Sequence, residues 1–427
     1  MANRYNLAKP ICARTVPVRE ILLVSISGPD RPGISAVLTR ALAAHQVNIL
    51  DVSQAVIHDQ LSLGLVIETG GEDDSARLMR AVLFEAHALG LNARFTPISG
   101  DSYHQWVAGN GRSRYILTLL ARKITAGHLA ALTALIADQG LNIDGLQRLS
   151  GRVALDGEAD DQAQTKACVE FSVRGEPRDL DAMRAEFLRL AGELGVDIAF
   201  QKDNAFRRSR RIVCFDMDST LIEHEVIDEL AKAAGVGEQV AEITERAMQG
   251  ELDFIQSFEA RVALLKGLDA SVLESIARSL KLTEGAEHLM RTLKALGYKT
   301  AILSGGFTYF GEYLQKKLGI DYVHANTLEI EDGKVTGRVV GRVVDGKRKA
   351  ELLREIAASE GVNLEQVIAV GDGANDLPML SIAGLGIAFR AKPLVRASAR
   401  QAISTLGLDG ILYLLGVRDR DLEGVRH

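Results

Sequence analysis

The sequence predicts an α/β protein: a doubly wound parallel sheet with a helical lid, preceded by two smaller α+β units. Two observations set this class. First, three short strand-like runs, 212–215, 299–303 and 367–370, each end in small or acidic residues, namely DMDST at 216–220, SGG at 304–306 and GDGAND at 371–376, with helical spacing between them. Strands that alternate with helices and gather polar residues at their carboxyl ends are the pattern of an open parallel sheet with its chemistry at that edge. Second, the first half holds a diverged repeat. Segment 20–52 lies over 114–146 without a gap, Gly33 matching Gly127 and Asn48 matching Asn142.

Each copy of the repeat reads as an apolar strand, a polar turn with glycine, a helix with apolar residues at three-to-four spacing, and a second strand opened by Asn-Ile. The helical stripe of the first copy is Ile34, Val37, Leu38, Ala41 and Leu42. Further strands are expected over 61–68 and 168–173. The resulting division is an extension over 1–19, α+β units over 20–103 and 112–200, and a linker over 201–211. A sheet domain follows over 212–416, with a helical cap at about 223–295, and then a polar tail over 417–427. The linker, QKDNAFRRSRR, is charge-rich and reads as a solvated connector.

Composition narrows the function. With 47% hydrophobic and 25% charged residues and a net charge of -6, the chain reads as an ordinary soluble globular protein with no reason to bind a polyanion, so nucleic acid is not an expected partner. Cys12, Cys168 and Cys214 are unevenly spread and form no CxxC pair. That argues against a disulfide framework or structural zinc and fits a reducing cytoplasm. No apolar run approaches the length of a membrane span, and the N-terminal stretch has no export signal.

The two repeat units resemble ACT domains, the βαββαβ modules that bind amino acids in regulated biosynthetic enzymes, through GPDRPG (28–33) and VNILD (47–51); the second copy, with RKITAG, matches less well. The resemblance implies a ligand near the turn before the first helix, with Asp30, Gly33 and Asn48, and by repeat Gly127 and Asn142, as candidates. A glycine there lets backbone N–H groups approach a carboxylate at a helix N-terminus. L-serine is the effector it suggests, and a homodimer the assembly. Turn glycines serving only the fold are the plainer alternative.

In DMDST, two carboxylates can converge on one target only where the strand ends and the backbone turns, since side chains alternate along a strand. One carboxylate would attack phosphorus while the other handles the proton. Asp and Ser also cluster at ordinary turns, and a lone lysine such as Lys349 is usually a surface residue. GDGAND lacks the spacing of an EF-hand, and HEVID lacks the second histidine of a zinc protease.

Together DMDST, SGG, Lys349 and GDGAND resemble the four motifs of the haloacid dehalogenase superfamily of phosphotransferases. The resemblance implies Asp216 as nucleophile and Asp218 as general acid and base. Ser304, Gly305, Gly306, Lys349 and Asn375 would be phosphoryl contacts. Mg²⁺ would be held by Asp216, Asp372 and the backbone carbonyl of Asp218, with Asp376 orienting that shell. A cation is needed because carboxylates alone repel a phosphate dianion. The segments DMDSTLIEHEVIDELA, AMQGELDFIQSFEARVALLKG, ILSGGF and AVGDGANDLPML narrow the resemblance to the phosphoserine phosphatases, whose substrate is O-phospho-L-serine. By position in those motifs Glu225 receives the substrate ammonium, Arg261 its carboxylate, and Met248 and Phe254 wall the pocket. Action on another small phosphate, transfer to an acceptor alcohol, and a non-catalytic amino-acid sensor are the rival readings.

Overall fold

The computed structural model describes residues 19–152, 165–422 and 424. Apart from Arg19, the expected N-terminal extension lies outside the described residues, as does part of the expected tail. The chain divides into two compact units, Met1–Gly111 and Arg112–His427.

In the first unit, strands β1 (Glu20–Pro29), β2 (Asn48–Ile57), β3 (Gln60–Thr69) and β4 (Asn92–Ile98) form one antiparallel sheet in the order β2-β3-β1-β4. Helices Ile34–Ala44 and Glu72–Ala88 complete a βαββαβ pattern. Period-two alternation turns Leu22, Val24 and Ile26 of β1 and Leu61, Leu63, Leu65 and Ile67 of β3 onto Ile34, Leu38, Leu42, Leu78 and Val82. Of the expected stripe, Val37 and Ala41 sit half-buried on its flank. Gly33 caps the first helix at φ 94°, a left-handed conformation that favours glycine.

The second unit begins with the same pattern: β5 (Arg114–Ala121), β6 (Asn142–Arg148), β7 (Ala167–Arg174) and β8 (Asp197–Lys202), ordered β6-β7-β5-β8, with helices Ala126–Asp138 and Leu180–Leu194. Pairing corrects the gapless repeat. Ile21 lies across from Glu68, which also faces Asn48, whereas Arg114 lies across from Arg174, which faces Asn142. Ile21 therefore corresponds to Arg114, an offset of 93, while Asn48 and Asn142 keep the offset of 94; one extra residue sits between first strand and helix. A strand cannot absorb that residue, because a slip of one would turn its apolar set to the wrong face. The turn absorbs it, and Thr125, not Gly127, caps the second helix, its hydroxyl accepting from the His128 N–H.

From β8 the chain enters a seven-stranded sheet: β9 (Ile212–Phe215), β10 (Lys299–Phe307), β11 (Tyr322–Glu331), β12 (Lys334–Val340), β13 (Val367–Gly371), β14 (Leu385–Phe389) and β15 (Gln401–Ile403). The order is β12-β11-β10-β9-β13-β14-β15, parallel except for the antiparallel β11–β12 hairpin. The winding reverses at β9, between β10 and β13, and the loops after these three strands meet there. The α+β sheet docks on this sheet's far edge. Gln401 pairs with both backbone groups of Phe200, donating to its carbonyl at 2.7 Å and accepting from its N–H at 2.9 Å. Buried Asp197 accepts from the N–H groups of Ser404 and Thr405.

Two expectations change. The stretch 201–211 is not a solvated connector, since Arg207 and Arg210 are buried, Arg207 donating to Glu170 and Arg210 to Gln201. The lid is shorter than 223–295. Its neck is the bridge between Ile222 and Leu282, and helix Ala286–Ala295 packs Leu289, Met290 and Leu293 into the sheet core. Helices Val226–Ala234, Gly237–Met248, Phe254–Ala263 and Val272–Ser279 form the lid proper. Among the described residues no helix is long and apolar enough to cross a membrane.

Candidate active site

β9 is buried along its whole length and delivers Asp216 to the sheet's carboxyl edge, where the Asp216 N–H donates to the Val370 carbonyl of β13. The next turn, Met217–Leu221, holds Ser219 at φ 55°, which bends the chain back so that Asp218 follows Asp216 into the same space. Lys349, on helix Gly346–Ser359, is completely buried and places Nζ 2.8 Å from Asp216 and 2.7 Å from Asp376. Asp376 also accepts from the Gly373 N–H at 2.9 Å, and Thr220 donates to Asp372 at 3.1 Å. Ser304 is fully buried at the end of β10 and its hydroxyl accepts from the Gly306 N–H. A Cβ at Gly306 would collide with Asp218 Oδ2 and Met217 Cε, so only glycine lets this loop lie against the second aspartate.

Electrostatics sort the carboxyls. Asp218 is pushed well above the usual carboxylate range, first by burial and then by Glu225 and Asp216. Burial and then Asp216 raise Asp372, to about 7, and push Asp376 up as well, against the pull of Lys349. Lys349 stays charged because its two carboxylates outweigh the cost of burying it. Asp216, Asp372 and Asp376 each bring one carboxylate oxygen within 4.8 Å of the others. Such a crowd of hard oxygen donors, repelling one another with one lysine between them, fits a divalent cation. The side-chain cluster contains Asp376 rather than Asp218, whose expected share was a backbone carbonyl.

The lid faces this edge. Glu225 caps helix Val226–Ala234 and accepts from the Ser219 hydroxyl at 2.7 Å. Arg261 is half-buried, and its one hydrogen bond among the described residues is from Nε to the Ser257 carbonyl. Burial lowers its pKa, with Glu225, Asp228 and Asp218 opposing. The guanidinium thus retains donors for an anion. Phe254 starts its helix on an Asp253–Gln256 capping box and stacks on Phe258. It hangs over Gly305, where a Cβ would lie 3.0 Å from its ring. The Met248 side chain lies outside the described residues. Asn375 borders the Gly346 backbone at the head of the lysine helix.

The regulatory candidates make contacts within their own modules. Asp30 joins the loop at Asp59 through its N–H, Asn48 donates to Glu68, and Asn142 to Asp144, while Gly127 lies inside its helix. Ser219, Thr220 and Asn326 were not among the candidate site residues. Ser219 and Thr220 fall inside DMDST, so the pentapeptide could have shown them; Asn326, 3% exposed in β11, belongs to no motif.

An aspartate-ended parallel sheet with a helical lid and a buried lysine defines a hydrolase of the haloacid dehalogenase type. The corresponding family model, haloacid dehalogenase-like hydrolase, matches residues 211–384, and that of the ACT domain residues 20–96. A phosphoserine phosphatase of Streptomyces coelicolor is 44% identical over 402 residues, covering 94% of this chain and 93% of that protein. One from Mycobacterium tuberculosis is 39% identical over 409 residues, 96% of each chain. The crystal structure of a probable phosphoserine phosphatase from Vibrio cholerae, at 36% identity, superposes with a TM-score of 0.56 over 74% of this chain and 88% of that one. The chain belongs to the phosphoserine phosphatase family.

Proposed function

We propose that the protein hydrolyses O-phospho-L-serine to L-serine and phosphate, the closing step of serine biosynthesis, through an aspartyl-phosphate on Asp216. The observation that carries this reading is the completely buried Lys349 held between Asp216 and Asp376, beside an Asp218 whose pKa burial pushes upward. Lys349, 2.8 Å from Asp216, offsets negative charge where the carboxylate attacks phosphorus. As the Asp216 oxygen bonds to phosphorus, the bond from phosphorus to the serine oxygen breaks, and Asp218 gives its proton to the departing alkoxide. Asp218, now ionised, takes a proton from water as that water attacks the acyl phosphate, releasing phosphate and restoring Asp216. Ser304, the Gly305 N–H and the Lys349 ammonium hold phosphoryl oxygens, with Gly306 and Asn375 beside them. Glu225 meets the substrate ammonium and Arg261 its carboxylate, while Met248 and Phe254 wall the pocket. Asp216, Asp372 and the Asp218 carbonyl would hold Mg²⁺, with Asp376 orienting them; when bound, it offsets the charge between carboxylates and phosphoryl group.

The ACT-like units are read as the seat of an amino-acid effector, L-serine, near Asp30, Gly33, Asn48, Gly127 and Asn142, in a cytoplasmic homodimer. Two buried free cysteines, Cys168 and Cys214, accord with a reducing compartment. Phosphate release from L-phosphoserine with Mg²⁺, with and without L-serine, tests the reading. Asp216→Asn should form no phosphoenzyme, since an amide is no nucleophile. A wild-type protein without turnover, or a phosphoenzyme in that variant, refutes it.

A further inference from the structure

At the end of β10 the ladder with β11 breaks. Leu303 lies opposite His324 and Phe307 opposite Asn326, so four steps of β10 match two steps of β11, and Ser304, Gly305 and Gly306 bulge out of the sheet toward Asp218. A bulge leaves backbone groups without strand partners. The Gly305 carbonyl is one of them, and it is satisfied by a side chain: Asn326 Nδ2 donates to it at 2.8 Å. The other end of the same amide, Oδ1, accepts the Val344 N–H at 2.8 Å. Val344 precedes Asp345, whose side chain caps helix Gly346–Ser359 by accepting from the Arg348 N–H at 2.7 Å, and whose carbonyl takes the Lys349 N–H at 2.9 Å.

We infer that Asn326 is a positioning residue of the phosphoryl site, its one buried amide fixing the spacing between the Ser304–Gly306 bulge and the helix that carries Lys349. The inference rests on the reading above, in which Ser304, the Gly305 N–H and the Lys349 ammonium grip the same phosphoryl group. An amide suits the place because it donates at one end and accepts at the other. The Asn326→Asp change would keep the acceptor for Val344 but turn a second oxygen on the Gly305 carbonyl. Asn326 reaches neither substrate nor nucleophile in these contacts, so its effect passes through backbone it holds in place.

The test uses full-length protein with Mg²⁺, as wild type, Asn326→Asp and Asn326→Ser, assayed below each variant's own melting transition. The kcat/KM for L-phosphoserine and for p-nitrophenyl phosphate should fall by the same factor, about 10- to 100-fold. Inhibition by inorganic phosphate should weaken comparably. Competitive inhibition by L-serine, which meets Glu225 and Arg261 on the lid, should stay within about twofold. Folded variants with unchanged phosphate inhibition, or with kcat/KM within about twofold of wild type, overturn the inference. So does failure of both variants to fold, which assigns Asn326 to stability alone. A wild type that cleaves p-nitrophenyl phosphate but not phosphoserine would sink the substrate reading and leave the Asn326 comparison intact.

Discussion

Replacing Asp372 by asparagine should stabilise the metal-free protein while destroying its activity. Asp372 has its pKa raised from 3.8 to about 7, first by burial and then by Asp216 and Glu225. An acid whose folded pKa lies above its unfolded one loses stability as pH rises, because the unfolded chain gives up the proton first. The penalty is absent below about pH 4, builds to about pH 7, and is then constant at up to ~4 kcal/mol. The side chain is only partly buried, and screening by the water it still meets cuts this to ~2 kcal/mol. Asparagine removes the charge and keeps an oxygen for the Thr220 hydroxyl. For a unit of about 300 residues, ~2 kcal/mol corresponds to a rise in Tm of about 3 °C. Calorimetry in EDTA at pH 7.5 and pH 5 measures it; His324 and the surface ion pairs titrate alike in both proteins and cancel in the comparison. The gain should shrink at pH 5, and added Mg²⁺ should raise the Tm of wild type but not of the variant. A variant melting at or below wild type at pH 7.5 without metal would refute the electrostatic account of this site.

Gly306→Ala would place a methyl 2.7 Å from Met217 Cε and closer still to Asp218 Oδ2, so the loop must shift. A kcat about 100-fold lower is expected, with ~1–3 kcal/mol of lost stability, read by steady-state kinetics and thermal melts. Arg261→Ala should lower kcat/KM for phosphoserine by about 10- to 100-fold through loss of a charge-assisted contact, and leave p-nitrophenyl phosphate turnover nearly unchanged. An unaltered kcat/KM for phosphoserine would remove Arg261 from substrate recognition.

The chemical edge was legible because a parallel strand there must be apolar until it ends and polar immediately after, a change visible at Phe215–Asp216 and Val370–Asp372. What joins those ends was not legible. Asn326 touches a loop some twenty residues upstream and a turn as far downstream, and nothing in a lone Asn within a strand foretells that its amide will be shared between them. The start of the Phe254 helix was legible too, since Asp253 followed three residues later by Gln256 is a capping box. Arg207 and Arg210 misled. Four arginines in a short polar stretch read as solvated, yet Glu170 and Gln201, distant from Arg207 or on the preceding strand, take two of them inside.

The divergence of the repeat has a physical cause in what each outer sheet face meets. With the strand offset of 93, Leu23, Ser25 and Ser27 of β1 correspond to Ile116, Thr118 and Leu120 of β5. Ser25 and Ser27 are exposed, whereas Ile116, Thr118 and Leu120 are all buried, and Leu120, Cys168 and Ala199 share a core cluster with Val213 and Phe215 of the catalytic sheet. A strand with one wet face alternates, and a strand covered on both faces becomes a continuous apolar run. YILTLLA is therefore the sequence of a module fastened to the catalytic domain, and ILLVSIS that of a sheet with one polar face. Fastening explains the ion pairs too: Arg122 and Arg390, from the two sheets, close on the same Glu284.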